Sequence, residues 1–235
     1  MFGIVPSYAA DVIAYAESLP PYNYQENGSP AGLSTDVLRV VCAEARLDCE
    51  IHIVPWARVY SLASQMPNRL AFTMVRLKSR EAQFDWVGPL PAAEMQRLFA
   101  LRESPIQTLQ VSELARYRIG AERQGAGAHR LIELGVPIGQ IDYADDVESS
   151  VRKFLNGRVQ LIVGVERILA RELRRQARSA EDVRVVYTLS SDDSYYFALN
   201  RGSTPGLAGK LQAALDALRK RGVIDSIAER YRDPR

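Results

Sequence analysis

"DVIAYAESLPPYNYQENGSPAGLSTDVLRVVCAEARLDCEIHIVPWARVYSLASQMPNRLAFTMV", residues 11–75, changes its hydrophobic period from one element to the next. Residues 11–17 alternate apolar and polar, as a half-buried strand does. After a Pro/Gly/Asn loop over 19–32, "STDVLRVVCAEAR" brings Val37, Leu38, Val41 and Ala45 to one helical face, with Ser34 or Thr35 as the expected N-cap. "EIHIVP" reads as a strand, "RVYSLASQM" as a short helix and "RLAFTMV" as a buried strand. The order strand, helix, strand, helix, strand is that of a parallel sheet with crossover helices.

Outward from this unit, "FDWVGPLPAA" sets two prolines near Gly88 and breaks the rhythm. A second alternation follows, with strands at "QRLFALR", "YRIGAE", "DYA", "VQLIVGV" and "DVRVVYTL", and helices at "VSELA", "GAHRLIELG", "SSVRKFLNG" and "ERILARELRRQ". Beyond "SSDDS" come a strand, "YYFALNRG", and two helices, "GLAGKLQAALDALRKRG" and "IDSIAERYR". Two similar units imply an α/β protein of two lobes, each a mostly parallel sheet flanked by helices.

The chain of 235 residues carries 30 basic and 28 acidic side chains, so it projects no overall field toward nucleic acid or anionic membranes. The basic run from Ala170 is interrupted by acids and reads as the solvated face of a helix. No apolar run approaches the roughly 18 residues of a membrane span. The opening "MFGIVPSYA" is similar to the tail of a secretory signal at its cleavage site, and equally to a frayed terminus or a cloning remnant.

Cys42 and Cys49 bracket the point where a helical pattern gives way to a strand. A helix continued through both would hold their Cα atoms about 10 Å apart, too far for a bond, whereas a helix ending near Arg46 could turn back and close the gap. Two buried thiols behaving as small hydrophobes are the alternative. Two cysteines around one turn favour a disulfide and an oxidising compartment. His52 and His129 stand far apart with no metal-ligand spacing around them, and no metal or cofactor is expected.

"FTMVRLKSREAQFDW", residues 72–86, places Arg76, Lys78 and Arg80 directly after a buried strand. Ligands of open parallel sheets bind beyond the carboxyl ends of the strands. A helical turn capped by Ser79 would put Arg76 and Arg80 on one face at the mouth of a cleft, where guanidinium suits bidentate capture of carboxylate. Solvated loop cations are the alternative.

"LPPYNYQENGSPAGLSTDVLRVVCAEARL" resembles the opening of bacterial periplasmic solute-binding proteins of ABC importers, family 3, the polar amino-acid-binding type. Tyr22, Gly28, Gly32 and Asp36 stand in that pattern, with Leu33 where the family has an aromatic. "SPIQTLQVSELARYRIGAERQGAG" is similar to the start of the family's second lobe, and "LQAALDALRKRGVIDSIAERY" to its closing helices.

The resemblance implies a type II Venus-flytrap fold. Lobe 1 would comprise residues 1–92, lobe 2 residues 93–188, and residues 189–235 the return hinge with the closing helices of lobe 1. It implies a disulfide between Cys42 and Cys49, a small-molecule ligand held between the lobes, a membrane permease as partner, a periplasmic monomer exported by a signal peptide that is truncated here, and no catalysis. It places Arg80 on the ligand carboxylate with Thr73 nearby, Trp56 as one aromatic wall, Tyr22 or Tyr24 as the other, and Gly125, Ala126 and Gly127 at a helix N-terminus facing the carboxylate. The family's acid for a ligand ammonium falls near Val165, with Gln160 in place of an earlier Asp; Glu166, one residue on, would replace it or cap the next helix. Arg76 and Arg123 would add positive charge for a second anionic group. An enzyme of the cyclohexadienyl dehydratase kind, using Glu122, Glu166, Asp192 or Asp193 as acid or base, and an extracytoplasmic sensor domain are the alternative functions.

Overall fold

A computed structural model describes residues 10–91, 93–190 and 193–231. The signal-like opening and Asp192 therefore lie outside the described residues.

β1 (Val12–Ala16) runs to a short hairpin, β2 (Tyr24–Glu26) and β3 (Ser29–Ala31), then to α1 (Leu33–Glu44), β4 (Cys49–Ile53), α2 (Trp56–Gln65) and β5 (Arg69–Val75). A 3-10 turn over Lys78–Arg80 leads to β6 (Phe84–Val87), β7 (Ala93–Glu94) and β8 (Gln96–Leu101). β9 (Ile119–Glu122), α3 (Ala126–Glu133), β10 (Ile141–Ala144), α4 (Val147–Leu155), β11 (Leu161–Val165), α5 (Glu166–Arg175) and β12 (Val183–Thr188) follow. β13 (Asp193–Asn200), α6 (Leu207–Lys220) and α7 (Val223–Arg230) close the described chain.

The strands form two main sheets, in the orders β4-β1-β5-β13-β6 and β10-β9-β11-β8-β12. In the first, β1 runs parallel to β4 and β5, while β13 is antiparallel to β5 and β6. The second repeats the plan: β9 is parallel to β10 and β11, and β8 is antiparallel to β11 and β12. The expected parallel pairing thus makes the three-strand core of each sheet. β13 and β8, which follow a passage of the chain from one sheet to the other, run the other way, because they enter the sheet without a crossover helix.

Each sheet has its own apolar core. Val12, Ala14 and Ala16 alternate inward from β1 and pack with Val37, Leu38 and Val41 of α1 and with Leu211 and Leu215 of α6. Leu98, Ile119, Leu131 and Leu161 form the core on one face of the second sheet, and Phe99, Phe154, Ile162 and Leu173 fill its other face.

Several local expectations are corrected. The N-cap of α1 is Gly32, and Ser34 and Thr35 lie inside the first turn. Main-chain carbonyls of Pro21 and Tyr22 accept from the amides of Leu33 and Ser34 at 2.9 and 2.8 Å, so the helix start needs no side-chain cap. Gly32 has φ +112°, and a Cβ there would meet the Tyr22 carbonyl oxygen at 2.5 Å. "VSELA" belongs to a 3-10 stretch, Val111–Arg116, and not an α-helix. The loop over 19–32 contains the β2–β3 hairpin, whose turn residues Asn27 and Gly28 both have positive φ, the preference of an Asn-Gly turn.

Cys42 and Cys49 are bonded, with Cα atoms 6.2 Å apart. α1 stops at Glu44, and Arg46 takes φ +51°. That left-handed step reverses the chain, so the Leu47 amide donates to the Cys42 carbonyl at 3.0 Å and Cys49 enters β4 beside the helix end.

Candidate functional site: a cleft closed over Arg80

A cavity of about 90 Å³ lies between the sheets. From the first lobe it is lined by Glu17, Leu19, Trp56, Thr73, Arg80 and Tyr195; from the second by Gln96, Glu122, the 125–128 segment and an apolar wall including Val147, Val151, Ile162, Val163, Val165 and Ile168. Glu17 follows the last residue of β1 and Glu122 is the last residue of β9, so both stand at carboxyl ends of parallel strands, where such sheets place their ligands.

Arg80 is the largest fully buried side chain, at 1% exposure. Leu77 is extended (φ −104°, ψ 149°) and enters the 3-10 turn with no side-chain cap, so Ser79 does not cap it. The extended step also breaks the four-residue relation that would have put Arg76 beside Arg80. Arg76 and Lys78 are exposed, while Leu77 and Arg80 are buried.

The guanidinium of Arg80 lies over the rings of Trp56 and Tyr60, at 5.6 and 5.4 Å from their centroids. Its Nη1 donates to the Val75 carbonyl at 3.3 Å and its Nη2 to the Gln124 carbonyl of the opposite lobe, while Nε is buried without a partner. Burial lowers its pKa to about 10, so it stays a cation at neutral pH. The Trp56 Nε1–H also donates to the Gln124 carbonyl, at 2.9 Å. Two first-lobe side chains converging on one second-lobe carbonyl define the closed arrangement of the cleft.

Thr73 has φ +59°, uncommon for a β-branched residue, where the β5–β13 register shifts. Its hydroxyl donates to Asn23 Oδ1, and Asn23 Nδ2 donates to the Glu17 carbonyl. This chain of bonds fixes the end of β1 against β5 at the cavity wall. Gly127 is required by space: a Cβ would come within 2.1 Å of Val163 and 2.7 Å of Gln96 Oε1. That Oε1 is buried without a donor.

The cleft therefore brings together Trp56, Thr73, Arg80, Gly125, Ala126 and Gly127 of the expected set. It does not include Arg76, which pairs with Glu81 and lies over Trp86 and Tyr196. Nor does it include Arg123, which is exposed, lies 3.5 Å from Asp145 and covers Tyr143. Glu166 opens α5 and pairs with Arg97 in solvent. Tyr22 is buried beside the cavity rather than in its wall: its hydroxyl donates to Glu94, its ring meets Tyr195 edge-on, and burial raises its pKa. Tyr24 borders a separate outer groove. Of the described acids considered for catalysis, Asp193 is held by Arg130 and Ser190 and Glu122 alone reaches the cavity. Sequence reasoning missed Glu17, Gln96, Gln124 and Tyr195, although the carboxyl-end rule would have found Glu17 one residue past β1.

The family model for bacterial extracellular solute-binding proteins, family 3, covers residues 12–234. The chain belongs to that family. This family 3 protein is 23% identical over 235 residues to the amino-acid-binding protein AabA of Dichelobacter nodosus, covering 95% of this chain and 89% of the relative. Among solved structures, a histidine kinase sensor domain with similarity to periplasmic binding proteins superposes with TM-score 0.82 at 19% identity, covering 94% and 95% of the two chains. The arginine-, lysine-, histidine-binding protein ArtJ of Geobacillus stearothermophilus gives TM-score 0.77 at 18% identity, covering 95% and 96%. These likenesses establish the two-lobed type II binding-protein fold. Among the described residues, no helix is long and apolar enough to cross a membrane.

Proposed function

We propose that this family 3 protein captures a small polar solute bearing a carboxylate, an amino acid or related organic acid, between its lobes in the periplasm and delivers it, as a monomer, to the permease of an ABC importer. The observation that carries this reading is the Arg80 guanidinium: buried, charged, and bonded to main-chain carbonyls instead of a carboxylate. A buried cation lacking an anion is costly unless an anion is supplied. A carboxylate entering the cleft would supply it. The amides at the start of α3 border the same cavity and suit the same group.

The lobes are two bodies, 1–92 with 189–235 and 93–188, that hinge where the chain crosses near Gly88 and Ser190. Contacts from both lobes are what allow a ligand to shift the balance toward closure. The role so proposed is binding, since Arg80, Trp56 and the 125–127 segment form a grip on a solute. The likeness to a histidine kinase sensor domain favours a second reading, in which the same capture is reported to a signalling chain.

A thermal-shift screen with amino acids, dicarboxylates and small peptides tests the proposal, because a ligand specific to the folded protein raises its melting temperature by mass action. A hit whose effect disappears in Arg80→Ala supports it. Hits that Arg80→Ala retains in full would remove the carboxylate grip from the account.

A further inference from the structure

Glu17 and Glu122 line the one cavity from opposite lobes, close enough for their carboxyls to share a hydrogen bond. Two carboxylates cannot make that bond, because each only accepts. No ion pair is formed by either one among the described residues, and Glu122 Oε1 is sealed from solvent without a donor. Arg80 attracts Glu17, but its N–H groups point to the Val75 and Gln124 carbonyls. Asp146, the N-cap of α4, adds negative charge toward both carboxyls. The remaining charged groups nearby do not supply a cation: Arg123 is exposed beside Asp145, Arg130 is held by Asp193, and His129 is pushed toward its neutral form by burial and by Arg80.

We propose that Glu17 and Glu122 form a proton-dependent clasp: the lobes close on each other only when one proton is held between these two carboxyls. The clasp rests on the reading of the cleft as a hinged trap. In the open form the lobes part and each carboxyl regains water and an ordinary pKa of about 4.3. On closure, burial and the charge of Asp146 raise both; the bond between them pushes Glu17 up further and holds Glu122 back, at about 7.

The sign follows by linkage. A group whose pKa is higher in the closed form favours closure most below the open-form value, and that contribution is lost as pH rises through the closed-form value. Closure therefore strengthens as pH falls, with the contribution of Glu122 growing from about 7 toward about 4.3 by up to about tenfold per pH unit. An anionic solute held by Arg80 would close the cleft with uptake of that proton, whereas a solute presenting a cation to the pair would take the proton's place.

Single-molecule energy transfer between one dye on each lobe of the ligand-free protein measures the closed fraction directly. Wild type should gain closed molecules between pH 8 and pH 5.5. Glu122→Gln, whose amide can donate to Glu17 without an added proton, should give a closed fraction independent of pH over that range, and Glu17→Gln should do the same from the other side. A wild-type closed fraction that stays flat, or a pH response that survives in both variants, would overturn the clasp. If a hit from the screen moves the signal while pH does not, the clasp fails and the hinged trap stands; if neither moves it, both fail.

Discussion

The indole Nε1–H of Trp56 donates to the main-chain carbonyl of Gln124 at 2.9 Å, joining the first turn of α2 in one lobe to the loop before α3 in the other. Arg80 donates to the same carbonyl. One backbone oxygen thus receives both first-lobe contacts, so local changes there should be read out as changes in closure.

Trp56→Phe keeps an aromatic face under Arg80 and removes the donor. A hydrogen bond of this kind contributes about 1 kcal/mol net, so ligand affinity should weaken roughly fivefold with little change in melting temperature. Calorimetric titration of the variant with a hit from the screen checks this, and unchanged affinity would show that the bond does not support closure.

Arg80→Ala should bind a carboxylate ligand about two to four decades more weakly, since removing one partner of a buried charge pair costs roughly 3 to 5 kcal/mol. Arg80→Lys should recover part of the loss, because an ammonium keeps the charge without the planar fork. Lys78→Ala and Arg76→Ala are surface controls and should bind as wild type, the second because Arg76 is committed to Glu81 outside the cleft. Binding by a folded Arg80→Ala protein within a factor of three of wild type would remove this arginine from the site.

Reduction of the bond between Cys42 and Cys49 should lower stability by about 2 to 3 kcal/mol in the chain-entropy account of a short closed loop. Paired denaturation curves with and without reductant measure the difference. Mass spectrometry of alkylated, unreduced protein should find no free thiol.

Asp142 is buried in β10 and meets Lys153 at 2.7 Å, Arg158 at 2.9 Å and Arg118 at 3.3 Å. Burial alone would raise its pKa, but the bonds from Lys153 and Arg158 outweigh it and hold the carboxyl below its ordinary range. A depressed pKa contributes stability above the unfolded value of about 3.9 that is lost as pH falls through the folded one. Asp142→Asn should therefore cost about 1 to 3 kcal/mol at neutral pH, and its stability should converge on wild type in acid. A difference that persists unchanged well below pH 3 would assign the effect to packing instead of charge.

The alternation of strand and helix periods from Asp11 to Val75 was enough to show an α/β lobe, because the 2.0 and 3.6 periods are imposed by which face each element buries. The bend between Cys42 and Cys49 was also visible, since a disulfide requires a reach that a continuing helix cannot offer. The cap of α1 was not, because its first amides are satisfied by the Pro21 and Tyr22 carbonyls, and a backbone acceptor leaves no mark on residue type. Among the cations of the opening cleft motif, residue type was equally silent. Arg76 and Arg80 share a side chain, a charge and a neighbourhood in sequence, yet one extended residue, Leu77, turns the first to Glu81 in solvent and the second beneath Trp56 and Tyr60. Glu17 and Glu122 stand 105 positions apart (122 − 17) and are brought to one cavity by the packing of two sheets. Sequence by itself determined the elements and the binding-protein frame, since those follow from local periodicity and motif order. Tertiary structure alone decided which charges are buried and which carboxyls face one another, because burial and facing are properties of packed lobes and have no counterpart in an isolated segment.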